Sequence, residues 1–156
     1  ATAPIEGSEA IGVALQMPEL TDADLALIAA ARDAITARYR PEWHVVGAAL
    51  RTRSGRVFTG VHLEANVGRI AVCAEAVALG RAATEAGDTS VETIVAVRHP
   101  ASDAADQTVR VVAPCGMCRE LIADYAPDAR VLVPGNDGAP VVRSVGALLP
   151  DKYTRP

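Results

Sequence analysis

The stretch Pro114-Cys115-Gly116-Met117-Cys118-Arg119, taken with Cys73-Ala74-Glu75, decides how this 156-residue chain is organised, because the two hold every cysteine it contains. Cys115 and Cys118 stand at i and i+3, so on the first turn of a helix their sulfurs can converge on one ion. The free N–H groups and macrodipole of a helix start favour the thiolate form, and Cys73, opening a second helix, gains the same help. Three soft thiolates leave one position of a tetrahedral zinc open for water, with a carboxylate nearby to act as base. A harder ion such as Mg²⁺ prefers oxygen, so zinc is the metal this donor set selects. Glu75 is the candidate proton carrier. Two residues span roughly 200° in mid-helix, but at a helix start that constraint loosens and Glu75 can face the metal.

Upstream, Thr21-Asp22-Ala23-Asp24 has the form of a capping box, and Leu25, Ile28, Ala29 and Ile35 recur at helical spacing. They predict a helix from Thr21 to Tyr39, stopped by Pro41. Val45–Leu50 and Val57–Leu63 read as strands joined by the tight turn at Ser54-Gly55. A helix from Cys73 should end at Gly87. Val91–Val97, Val109–Val112 and Arg130–Val133 read as three further strands, with a helix from Cys115 to Tyr125 between the last two. Asn136-Asp137-Gly138 is a turn, and Ser144–Leu149 a short last helix. This order predicts an α/β fold: a five-stranded mixed β-sheet with helices on both faces. If the two cysteine-bearing helices follow parallel neighbouring strands, their N-termini meet at one sheet edge, where open α/β sheets bind ligands.

Residues 1–20, with Gly7, Gly12 and Pro18 and weak periodicity, are expected to form a loosely attached arm, leaving 21–156 as a single domain. Half of the chain is apolar but only 3% is aromatic, so the core should be built from small and branched aliphatic side chains. A net charge of −4 and the lack of a Lys/Arg run disfavour a nucleic-acid partner. No stretch approaches a membrane span, and Ala1-Thr2-Ala3-Pro4 lacks the features of a secretion signal, so the expected location is the cytoplasm, where cysteines stay reduced.

The two motifs resemble those of the cytidine deaminase superfamily, specifically the small three-cysteine cytidine deaminases and blasticidin S deaminases. Val46-Gly47-Ala48-Ala49-Leu50, Ser54-Gly55-Arg56-Val57-Phe58-Thr59-Gly60 and Leu148-Leu149-Pro150 fall in the same order as in that family, so the likeness runs from about residue 21 to the end. It implies a zinc-dependent hydrolase converting an amine to a carbonyl on a cytidine or deoxycytidine-type nucleoside. It also implies a homotetramer, or a dimer, whose sites borrow residues from neighbours. Cys73, Cys115 and Cys118 would hold one Zn²⁺ and Glu75 would shuttle protons. The nucleoside would contact His62, Glu64, Ala74 and Asn66, with Trp43 or His44 against the base. The family usually reads Asn-x-Glu-Asn where this chain has His62-Leu63-Glu64-Ala65, which shifts the sugar contacts. An arginine that often follows Cys-Ala-Glu is here Ala76, leaving Arg119 to relieve the thiolate charge.

Blander readings stay open on the residues alone. The cysteines suit a structural zinc knot if His44, His62 or His99 supplies a fourth ligand, giving a non-catalytic zinc-stabilised binding protein. Cys115 and Cys118 alone also match a redox pair, and Glu75 a solvated first-turn glutamate.

Overall fold

The computed structural model describes residues 19–156; the arm expected over 1–20 therefore lies almost wholly outside the described residues. Helix α1 (Asp22–Arg38) begins at the foreseen box: Asp24 N donates to Thr21 Oγ1 at 3.2 Å and Thr21 N to Asp24 Oδ2 at 3.0 Å. Strands β1 (Val46–Thr52) and β2 (Val57–Val61) form the antiparallel hairpin. Helix α2 (Ala74–Arg81) runs on through a wider π turn (Ala82–Ala86) to Gly87, whose φ of 60° is the left-handed cap that glycine adopts without strain. Then come β3 (Val91–Arg98), β4 (Arg110–Val112), α3 (Gly116–Tyr125), β5 (Arg130–Pro134), β6 (Pro140–Ser144) and α4 (Val145–Leu148).

The sheet has six strands, not five, in the order β2-β1-β3-β5-β6 with β4 also on β3. The additional strand is β6, antiparallel to β5 from Arg130↔Ser144 to Pro134↔Pro140. It is short, begins with a proline and buries only Val142, so it carries no alternation to read, and a proline at the first position of an edge strand is tolerated. A second correction concerns the strands ahead of the cysteines. β4 runs antiparallel to β3, and β1 separates β2 from β3, so the two helices do not follow parallel neighbours. Their N-termini nevertheless meet, because the chain turns back after each strand.

Alternation along the strands sends side chains to two cores. Ala48, Leu50, Ile94, Ala96, Val131 and Val133 pack with α2, α3 and α4, while Ala49, Val95, Val97, Leu132 and Val142 pack under α1. The mixed sheet with helices on both faces thus stands as expected. One close approach sets the site: a Cβ at Gly60 on β2 would fall 2.5 Å from Ala74 O and 2.6 Å from Ala78 N. Only glycine lets the first turns of α2 lie this close to the sheet.

Candidate active site

Past Val61 the chain leaves the sheet but stays fastened to it. His62 N donates to Val46 O at 2.9 Å, and a two-way bridge joins Leu63 and Val72 at 3.0 and 2.9 Å. That bridge closes residues 64–71 into a loop and delivers Cys73 to the N-cap of α2 in extended conformation, φ −66° and ψ 149°. Cys115 holds the same place on α3, φ −66° and ψ 168°. Each sulfur thus sits at the start of a helix, where first-turn N–H groups lack intrahelical partners.

The three sulfurs converge. Cys73 Sγ lies 3.6 Å from Cys115 Sγ, and all three lie within 4.8 Å of one another. A tetrahedral zinc with Zn–S near 2.3 Å requires sulfurs about 3.8 Å apart, so the donor set fits that ion without rearranging the backbone. No histidine joins the cluster among the described residues. His99 instead stacks on Tyr39 with centroids 3.8 Å apart, and His44 Nδ1 lies 2.7 Å from His62 O. The knot with a fourth protein ligand is therefore not formed, and the pairing of Cys73 with Cys115 argues against a redox motif confined to Cys115 and Cys118.

Glu75 is 5% exposed, so it is not the solvated first-turn glutamate of the bland reading. Burial raises its carboxyl above the usual value, while its own N–H, the Cys118 thiol and His62 act in the opposite direction. Burial also raises Cys73 and Cys118, the latter strongly, with the neighbouring anionic groups adding to it. Burial pushes Cys115 up too, but the Cys118 backbone N–H and the other sulfurs bring it below the usual thiol value. An acid without solvent and three crowded thiols form an electrostatically unsatisfied cluster, which a divalent cation would relieve.

Cys73, Cys115 and Glu75 line a cavity of about 230 Å³, with Cys118 buried behind them, and its other walls include Val46, His62, Ala74 and Arg98. Val46, His62 and Arg98 also border an outer groove of about 730 Å³ that reaches Glu42, Glu64 and Asp103. His62 stands at the throat between the two. Its Nδ1 is buried without a partner among the described residues, and its Nε2 lies 3.5 Å from Glu64 Oε2. Glu64 Oε1 accepts from Ala65 N at 2.9 Å.

The remaining expected contacts sit elsewhere. Trp43 is outside the cavity lining, its ring covered by the Arg40 guanidinium at 5.1 Å; its carbonyl accepts from Glu64 N at 3.2 Å. His44 is not in the lining and braces His62 from behind, while Asn66 is exposed. Arg119 gives Nε to Pro114 O and Nη1 to Leu148 O, both at 2.9 Å, so these donors serve carbonyls rather than thiolates. Sequence reasoning missed Arg98. Its signal was the sudden charge after the apolar run of β3, at the sheet end where ligands collect.

Comparison with known proteins gives a consistent picture. A family model described as the cytidine and deoxycytidylate deaminase zinc-binding region matches residues 21–133. The chain is 51% identical over 136 residues to a Bacillus cereus protein named blasticidin-S deaminase, covering 87% of this chain and 96% of that one. It is 36% identical over 110 residues to a cytidine deaminase of Halalkalibacterium halodurans, covering 70% and 76%. Among solved structures, a cytidine deaminase from Burkholderia pseudomallei superposes with a TM-score of 0.69 at 33% identity, covering 86% of this chain and all of that one.

Proposed function

Because the chain belongs to the cytidine and deoxycytidylate deaminase family, we propose that it hydrolyses the exocyclic amine of an aminopyrimidine nucleoside, releasing ammonia and leaving a carbonyl. The observation that carries this reading is the convergence of three sulfurs beside a buried carboxyl at the floor of a cavity. Cys73, Cys115 and Cys118 would hold the zinc, which when bound supplies Lewis-acid activation of the attacking water.

Glu75 then has the proton work. Screened from solvent, its carboxyl raised by burial, it would take one proton from the water as the oxygen bonds to the reacting carbon and pass it to the adjacent ring nitrogen; it would then move the second proton from that new hydroxyl to the amine, which leaves as ammonia as the C–N bond breaks and the carbonyl forms. Ala74, Val46 and Val112 give the cavity apolar walls against which a flat ring could lie. His62, whose Nδ1 has no partner among the described residues, and Glu64 stand where the sugar would leave the cavity, and Arg98 lines the same passage.

Cytidine and deoxycytidine are the first substrates to try. A second reading, an aminopyrimidine nucleoside antibiotic such as blasticidin S, is favoured by the higher identity to the Bacillus cereus protein and by His62 and Ala65 in place of the usual asparagines. Zinc-loaded protein incubated with each nucleoside, with ammonia release and loss of cytosine absorbance as readouts, separates the two. Release from none of them, with Glu75→Gln binding nucleosides as the wild type does, would instead favour a non-catalytic zinc-stabilised binder.

We also infer a homotetramer or dimer acting in the cytoplasm. The exposed Leu63, Val67, Ile70 and Val72 on the segment ahead of Cys73, with Met117 on α3, support assembly, and no described helix is long and apolar enough to cross a membrane. Light scattering of the purified protein tests the assembly: a monomer at micromolar concentration would reject it.

A further inference from the structure

The helix turn that carries two of the three sulfurs has little packing of its own. A Cβ at Gly116 would meet nothing within 4 Å, Met117 is 75% exposed, and Cys115 is exposed. Only Cys118, 2% exposed, is anchored by burial. Yet a metal site tolerates only small displacements of its ligands, so something else must hold this turn.

The segment after α4 is placed to do so. The Arg119 guanidinium spans two carbonyls 34 residues apart in sequence, Pro114 O just before Cys115 and Leu148 O at the end of α4, each at 2.9 Å. Further along, Lys152 Nζ lies 2.9 Å from Glu120 Oε2 and 2.9 Å from Asp124 Oδ1, on successive turns of α3. The Lys152 side chain is 18% exposed, while its partners Glu120 and Asp124 face solvent. Residues 148–152 therefore cross α3 and are tied to it near both ends.

We propose that residues 148–152 form a strap, with Arg119 and Lys152 as positioning residues that hold Cys115 and Cys118 at the spacing the zinc requires. The proposal rests on the reading of the three cysteines as zinc ligands. It assigns the tail no contact with substrate, since neither positioning residue lines the cavity. The guanidinium matters through its fork: two diverging donors reach two carbonyls at once, which a single ammonium cannot reproduce.

The test uses the zinc-loaded full chain and its variants Arg119→Ala, Arg119→Lys and Lys152→Ala, measuring zinc release to a chromogenic chelator, kcat and KM, and the thermal midpoint of zinc-free protein. Arg119→Ala should release zinc about tenfold faster, the scale on which groups supporting metal ligands act. kcat should fall with zinc occupancy and KM stay within about twofold, since binding of the substrate is untouched. Arg119→Lys should recover only part of the retention. Lys152→Ala, a change at the surface that leaves the core intact, should shift release in the same direction by less, and it carries the test alone if Arg119→Ala does not fold.

Equal zinc release by wild type and both alanine variants, with only the zinc-free midpoint lowered, would overturn the strap. So would a rise in KM with release unchanged. A wild type that holds no zinc at all overturns the metal centre itself, a different result from wild type and variants releasing it alike.

Discussion

The two ends of the sheet handle buried charge in opposite ways. At one end, Asp24 is completely buried, and every need of its carboxylate is met: Arg130 donates two bonds at 2.9 and 2.7 Å, Thr21 N a third at 3.0 Å, and Arg51 stands at 3.5 Å. The same two arginines share Thr93 Oγ1 at 3.2 Å each. At the other end, past the span of about 17 Å from Arg51 to Val46 along β1 at 3.3 Å per residue, Glu75 and the three thiols crowd together beside a cavity, and His62 Nδ1 is buried without a partner among the described residues. A polar cluster that closes on itself serves the fold. One whose donors converge beside a cavity suits a ligand.

The largest expected effect lies at the open end. Glu75→Gln should lower kcat by about a thousandfold while zinc content, measured by atomic absorption, stays at the wild-type level. A variant that retained most of its turnover would remove the distinction between the two ends.

At the closed end, Asp24→Ala should cost about 3 kcal/mol of stability, read from chemical denaturation, because it leaves Arg130 partly buried without its counter-ion, while Arg51 keeps Glu92 at 2.9 Å. Its effect on KM should be negligible.

The same carboxylate sharpens the comparison through pH. Burial raises the Asp24 carboxyl, but Arg130 and Thr21 more than offset this, and it ends below the usual value. The folded state then binds fewer protons than the unfolded one. The resulting stability is in full force above the unfolded carboxylate value of about 3.9 and is lost as pH falls through the folded value. Acid unfolding followed by circular dichroism should therefore be shallower in Asp24→Asn than in the wild type.

Gly60→Ala probes how the sheet supports α2. Overpacking against Ala74 O and Ala78 N should cost about 1–3 kcal/mol and, unlike Asp24→Ala, should also speed zinc release, since the displaced helix begins at Cys73.

The smallest effect is expected from His62→Asn. Loss or gain of one hydrogen bond to the sugar is worth about 1 kcal/mol, a change of roughly fivefold in KM, and the sign tells which nucleoside the throat prefers. An identical shift for cytidine and for its sugar-free base would show that His62 does not meet the sugar.

Much of this was legible in the chain because the signals are local. The Thr21–Asp24 box, the helical spacing of Ile28 and Ile35, and the Asn136–Gly138 turn all depend on neighbours within a few residues, and each forms where expected. The cysteines were legible for a different reason: soft donors are rare enough here that their spacing alone limits the chemistry. What escaped depends on distant partners. β6 exists because β5 offers it an edge, not because Pro140–Ser144 has strand character. Arg98 becomes a wall of the cavity only when β3 lies between β1 and β4. Trp43 is large and apolar enough to suit a base, but Arg40, three residues before it, occupies its ring face. Arg119 stands beside a ligand in sequence, yet Pro114 and Leu148 take its Nε and Nη1 donors through their carbonyls.

The Leu63–Val72 bridge separates two requirements that would otherwise conflict. Everything between its two residues is a side excursion whose ends are already pinned, so its length and composition can change at small entropic cost without altering where Cys73 arrives. Substrate preference can therefore drift at the cavity mouth while the chemistry at its base keeps its geometry.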